Sequence, residues 1–574
     1  MLKIFLRVVF LLMISLPVTN GQLNHQIRAH FDFESPVKHD YKLSGNFCEL
    51  RNSHFHGGLD IKQSGTGKDT IFSIGDGYIS RIRISPDGYG QALYIDHPAS
   101  GLTSVYAHLD GFSSTIDNYI RQYQFLNESY DTDLHLSAEI FPVRKGEFVG
   151  LMGNTGHSFG KHLHFELRET ATDKVLNPYL MGFGISDNIP PTLLKLQIHG
   201  LDSQLHKVWE KPVNLSPYHA ETIELSGIVS VPASRAGISL NAYDRTNGSA
   251  NRQGLYAIRL YVNDTLVYSS VMDKLPAEQS RYIKGFVDYG AKLKNQGMYY
   301  LCYRYPGNDV SLIQHERNGI IDITTGDTKN VVLEVEDFAG NARKIKLQIQ
   351  RSDTEKKPVE PPVSATLIEV HQNADVVIKN LNVSFRKNSL FRNIYLELDT
   401  VIQTNKNTLY RIHKRDEPIK TPLKIGITPD ITIPDRLFDK AIIIREGSDT
   451  RWNCGGSWNG RQLETTISEF GNYTLGFDTI PPRIKPISFL QKAGKFNQFR
   501  FSIADNLPVL KNGYTNAMHI KVWIDDTFHI CPFDAKSQTL TIPLRNLEKG
   551  KHNLTIEVKD HSQNTAYFNS EFYR

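Results

Sequence analysis

Cysteine is scarce in this sequence. The four residues, at 48, 302, 454 and 531 of 574, are too few for a disulfide framework and too scattered for a cysteine-rich zinc finger. A charge excess is also missing. With 65 Lys and Arg against 61 Asp and Glu, the net charge of +4 leaves no electrostatic footprint for nucleic acid. Long apolar runs are absent beyond residue 22, where nothing approaches the roughly 18 residues of a membrane-spanning helix. What remains is 40% hydrophobic and 22% charged, the range of globular protein, and long enough for about four domains.

The N-terminus reads as an address. Lys3 and Arg7 precede an apolar stretch from Val8 to Leu16, followed by Pro17, Thr19, Gly21 and Gln22. That order is a secretory signal peptide over residues 1–21, too short to span a bilayer. No cysteine follows the apolar core to take a lipid. The expectation is an exported chain starting near Gln22, with no transmembrane anchor after cleavage, placed in the periplasm, the cell envelope or outside the cell.

Two internal similarities divide the rest. Asp187-Asn-Ile-Pro-Pro recurs as Asp478-Thr-Ile-Pro-Pro, and a double proline excludes both helix and central strand. Module ends also match: Asp337 and Asn341 close one strand pattern as Asp560 and Asn564 close another, a turn chemistry common in immunoglobulin-like sandwiches. The polar, proline-bearing stretch 352–364 reads as a linker. β-Modules are therefore placed at 187–351, 365–477 and 478–574, each with one cysteine read as a free buried thiol.

Residues 22–186 are β-rich as well. Tyr78–Ile84 and Leu102–His108 alternate, and Asp87-Gly-Tyr-Gly makes a hairpin turn between the first of these and Ala92–Asp96. Ile116, Tyr119, Ile120 and Tyr123 fall at helical spacing, so an inserted helix is expected at about 114–127. A unit of about 160 residues is large enough to bury its own core, and it is expected to fold alone.

Histidines cluster in this unit. His56-Gly-Gly-Leu-Asp60 sets an imidazole and a carboxylate around two glycines that favour a tight turn. In His162-Leu-His164 both imidazoles share one face of a strand. Tyr106-Ala-His108-Leu adds another histidine from a different strand. Two histidines and a carboxylate suffice as protein ligands for catalytic zinc, and further histidines can hydrogen-bond its water or an oxyanion. The bland readings are exposed histidine pairs and loop residues. They are preferred for His97 and His157, while His54 is read as solvated or as supporting a ligand. Asp110 and Glu166 are read as solvated, Cys48 as a buried hydrophobe, and Trp452 and Trp458 as turn packing.

Together, His56-Gly-Gly-Leu-Asp60, Tyr106-Ala-His108-Leu109, Gly153-Asn-Thr-Gly156 and His162-Leu-His-Phe-Glu166 resemble the pattern of the lysostaphin-like zinc metallopeptidases, which cleave peptidoglycan peptides. The match covers residues 40–180. It implies an antiparallel β-sandwich of the duplicated hybrid motif type, with one catalytic zinc held by His56, Asp60 and His164. It further implies His108 and His162 as the non-ligand catalytic pair. Lys161 stands where the family often has proline, and the long interval from His108 to Gly153 departs from the pattern. The phrase Leu43-Ser-Gly-Asn-Phe-Cys-Glu-Leu-Arg, with the trailing β-modules, is similar to Bacteroidetes-type envelope members.

The expectation is thus a mainly β protein: an exported zinc endopeptidase acting on peptidoglycan peptides, with β-modules that bind envelope proteins. The alternative is a non-catalytic envelope scaffold using the same fold for binding.

Overall fold

The computed structural model describes residues 32–574, apart from 41, 66–68, 218, 355, 357–359, 404–406, 495, 510–517 and 546. The expected signal peptide lies outside the described residues. Strands occupy 47% of the chain and helices 7%, which makes it mainly β. No helix among the described residues is long and apolar enough to cross a membrane.

The first unit is built on a large antiparallel sheet. Its central path runs β1 (Leu43–Gly45), β2 (Leu59–Lys62), β11 (His162–Glu169), β6 (Leu102–Ala107), β5 (Gln91–His97), β4 (Gly77–Ile84) and β8 (Thr132–His135). A second sheet joins β3 (Thr70–Phe72), β10 (Phe148–Leu151) and β7 (Gly111–Phe112). Ile61, Ile79, Ile82, Leu93, Leu163, Phe165 and Leu167 from the first sheet meet Ile71, Phe112 and Val149 from the second in one buried cluster. The helical spacing near residue 120 corresponds to α1 (Ser114–Leu126), which sends Ile116 and Ile120 into that cluster.

Beyond it, residues 192–351 form two five-stranded sheets, residues 366–477 form two five-stranded sheets with a two-stranded one beside them, and residues 483–573 form two four-stranded sheets. All four cysteines are free; Cys48, Cys302 and Cys531 are buried and Cys454 is half-buried.

The first unit does not close on itself. Its strand β12 (Lys174–Leu176) pairs with Lys274–Pro276 of the next unit, extending the sheet across the boundary. Phe47, Cys48, Phe55 and Val175 sit in the core of residues 193–349 rather than in their own. The Phe55 ring meets Phe286 edge-on at 5.2 Å, and its backbone N–H donates to Ser280 O at 2.9 Å. The expectation that this unit buries its own core leaves out these contacts: Phe47, Cys48 and Phe55, the apolar side chains of the loop between β1 and β2, are buried against the second unit.

Candidate metal centre

Strand pairing brings the separated motifs together. Asp60 on β2 lies opposite His164 on β11, and His164 lies opposite Ala107, the last residue of β6. His108 follows directly, with φ of 62°, a left-handed turn that aims its ring back over β11. His56 enters from the loop before β2. Gly58 has no room for a side chain there: a Cβ would stand 2.1 Å from Phe165 O.

Three atoms converge. His56 Nε2 lies 2.9 Å from Asp60 Oδ1 and 3.0 Å from His164 Nδ1, and His164 Nδ1 lies 3.0 Å from Asp60 Oδ1. All three residues are buried, at 4–6% exposure. The opposite ring nitrogens settle the tautomers. His56 Nδ1–H donates to Asn46 O at 2.7 Å, and His164 Nε2–H donates to Glu166 Oε1 at 2.7 Å. Both facing nitrogens therefore carry lone pairs in the neutral rings, aimed at a carboxylate and at each other, which only a positive charge between them relieves. Tetrahedral zinc ligands about 2.0–2.1 Å from the metal stand roughly 3.3 Å apart, so the spacing and the N, N, O donor set fit that ion.

With no ion between them, the electrostatics place a proton on His164 in its stead. Burial opposes charge on His164, yet hydrogen bonds to Asp60 and Glu166 overcome it and push the ring up to about 9. Burial likewise opposes ionisation of Asp60, but His56, His162 and His164 hold it well below the usual carboxylate range.

Two more histidines flank this group. The His108 ring centroid is 4.9 Å from that of His162 and 5.7 Å from that of His164. His108 Nδ1–H donates to Thr155 O at 2.9 Å and His162 Nδ1–H to Gly160 O at 2.7 Å, so each has its Nε2 free of these carbonyl bonds. His162 Nε2 stands 3.4 Å from Asp60 Oδ1. Burial, helped by His164 and His162, lowers His108 to about 3, and it is neutral near pH 7.

Several supporting residues escaped the sequence reading. Glu166 is not solvated: at 1% exposure it accepts from His164, from the Tyr89 hydroxyl and from Arg168, whose Nη2 is 2.6 Å from Oε2. Arg51 Nη2 donates to Asp60 Oδ2 at 2.7 Å, and Asn46 fixes His56. Asn46 and Arg51 lie inside the phrase singled out by resemblance, but nothing in the residue types alone gave them a role. His97 is not a loop residue; it ends β5, 2% exposed, bonded to Asp76 O and Ser104 Oγ. His54 contacts Ser53 and stands outside the converging group. Asp110 is exposed. His157 packs edge-on against Phe159, and Lys161 lies 3.6 Å from Asp69. Trp458 stacks on Phe438 at 4.5 Å, and Trp452 lies under the Arg445 guanidinium.

A stretch of 81 residues is 37% identical to the DD-carboxypeptidase/endopeptidase Mpg of Neisseria meningitidis, and equally to that of Neisseria gonorrhoeae. It is 14% of this chain and spans 13% of those relatives. A zinc-containing peptidase from Vibrio cholerae is 23% identical over 27% of this chain and 41% of its own, with a TM-score of 0.20. The catalytic domain of lysostaphin from Staphylococcus simulans is 20% identical over 25% of this chain and 92% of its own, with a TM-score of 0.18. A family model described as a Zu5-like domain matches residues 365–478.

Proposed function

We propose that this chain is an exported zinc-dependent endopeptidase hydrolysing peptide bonds in peptidoglycan stem peptides or crosslinks. The observation that carries the reading is the convergence of His56 Nε2, Asp60 Oδ1 and His164 Nδ1 within 3.0 Å of one another. Zinc bound there supplies Lewis acidity toward the scissile carbonyl and makes its water acidic near neutral pH. The chain's own residues do the rest. With Nδ1–H spent on a backbone carbonyl, His162 presents Nε2 3.4 Å from Asp60 Oδ1, and the His108 ring, its Nδ1–H likewise spent, lies 5.7 Å from that of His164. One accepts the proton of the attacking water and returns it to the leaving amine, while the other, when protonated, donates to the oxyanion. Glu166, Arg51 and Asn46 hold the ligand side chains in their tautomers and orientations.

The stretch shared with the Neisseria carboxypeptidase/endopeptidases supports the substrate class, and Lys3, Arg7 and the Val8–Leu16 run support export. In this reading the β-modules hold the enzyme at the wall by binding envelope proteins. The test is mass spectrometry of peptidoglycan digested by the zinc-loaded mature chain. New amino and carboxyl termini within stem peptides or crosslinks are expected. Intact muropeptides after exhaustive digestion would overturn the reading.

A further inference from the structure

The repeated module borders have a second consequence. Asp187, just before the double proline, and Asp337, in the closing turn, meet Asp244 at the end of strand Arg235–Tyr243, and one oxygen from each lies within 4.8 Å of the others. Asp244 and Asp337 are 3% and 1% exposed, and Asp187 is half-buried. The donors that reach them are neutral amides. Asp187 Oδ1 accepts from Ile189 N at 3.2 Å and Asn247 N at 3.1 Å; Asp337 accepts from Asn341 N at 2.9 Å and from its Nδ2 at 2.8 Å. Asp244 Oδ1, buried, has no hydrogen-bond partner among the described residues.

Three crowded carboxylates repel, and a buried carboxylate oxygen without a partner is strongly unfavourable. A hard dication answers both. The group holds neither imidazole nor thiolate, and all-oxygen sets select calcium over zinc. We propose that Asp187, Asp244 and Asp337 bind a calcium ion at the end of the module that faces the metal centre.

The position gives the ion a task. Asp244 exchanges two backbone hydrogen bonds with Gln253, and the adjoining Gly254 exchanges two with the Asn46 side chain, at 2.8 and 2.9 Å. The Asn46 carbonyl in turn receives His56 Nδ1–H. Phe338, next to Asp337, packs against Tyr179 at 4.7 Å and Tyr256 at 5.0 Å, one from each side of the boundary. An ion at this point therefore stiffens the surface on which the His56 loop rests. Asp478, Asp505 and Asp560 meet similarly in the last module, but Ser562, Asn453 and Asn564 already donate to Asp478, so the inference stands on Asp244.

The test uses the full mature chain, freed of divalent ions and reloaded with one equivalent of zinc, titrated with calcium chloride by calorimetry and by thermal melting. The parent is expected to bind calcium with Kd at or below about 1 mM and to melt higher as calcium is added. Asp244→Asn and Asp187→Asn should each weaken that binding at least about tenfold while keeping zinc. The half-buried Asp187 serves if the Asp244 variant fails to fold. Equal calcium uptake by parent and folded variants overturns the proposal. So does a parent that binds none up to about 10 mM, which would mean that the carboxyls share protons. Tighter binding of magnesium than calcium overturns the choice of ion.

Discussion

His56 and His164 each spend one ring proton on an acceptor behind them, which leaves two lone pairs and a carboxylate facing one point. His164→Ala removes one of those three donors, and zinc measured by elemental analysis should fall to a small fraction of an equivalent. His108→Ala and His162→Ala leave the three intact. Each should retain zinc while turnover drops by roughly two to four orders of magnitude, the usual worth of a positioned acid–base group. Loss of zinc from His162→Ala would reverse the roles of the two histidines on β11. Residues of this kind were legible because an H-x-H and an H-x-x-x-D are local patterns. Glu166 was not, since two residues from His164 a carboxylate can face water or a ring nitrogen equally well, and only burial among Tyr89 and Arg168 decides.

A buried histidine outside the site titrates as His108 does. His199 is fully buried in the second unit, 3.1 Å from the Tyr303 hydroxyl, and burial together with Lys207 lowers it to about 3. The unfolded chain, with an ordinary histidine near 6.5, takes up the proton first as pH falls. Stability is therefore complete above about pH 6.5 and declines by up to roughly 1.4 kcal/mol per pH unit below it. Urea melts between pH 7 and 4.5 should show a slope to which His108 also contributes, and His199→Gln should reduce it by up to roughly 1.4 kcal/mol per pH unit. An unchanged slope in that variant would place the acid sensitivity elsewhere.

At the scale of elements, β11 does the most. Its alternation points His162 and His164 to the metal side while Leu163 and Phe165, both at 0% exposure, anchor the core behind. That period-2 pattern could be read from the residues, as could α1 from its apolar spacing. The close approach of the loop after β10 could not. Gly153 bridges to His162, and a Cβ there would stand 2.4 Å from Asp110 N and 2.7 Å from His108 O. Both contacts are backbone and cannot swing away. Gly153→Ala should push this loop, with the Thr155 carbonyl that holds His108, off the end of β6. The expected result is a loss of about 1–3 kcal/mol in urea melts and a lower turnover with zinc retained. Parental stability and rate would show that the loop moves freely.

At the scale of the molecule, the chain folds back on its own first unit. Lys536 of the last module donates to Ser158 O at 2.6 Å and Asn154 O at 3.1 Å, on the loop that positions His108 and His162. Lys521 pairs with Glu128 at 2.9 Å just beyond α1. More consequential is the boundary with the second unit, which takes in Phe47, Cys48 and Phe55 from the His56 loop. A fragment of residues 22–188 leaves those side chains and β12 uncovered. It should bind zinc weakly and be cut rapidly in limited proteolysis, whereas 22–351 should resist and load fully. A protease-resistant, zinc-loaded 22–188 fragment would show that the shared core is dispensable.

The sequence by itself determined the β class and singled out five polar residues that the fold brings together, because periodicity and short motifs are properties of neighbours along the chain. Tertiary structure alone decided what holds those residues in place. Asn46, Arg51, Glu166 and Arg168 act through bonds that exist only once β2, β6 and β11 are paired. The same holds for the joint between the first two units: an apolar Phe47 or Phe55 announces that it will be buried, but which core receives it depends on the docking of strand Lys274–Pro276 against β12, a contact about a hundred residues away in the chain.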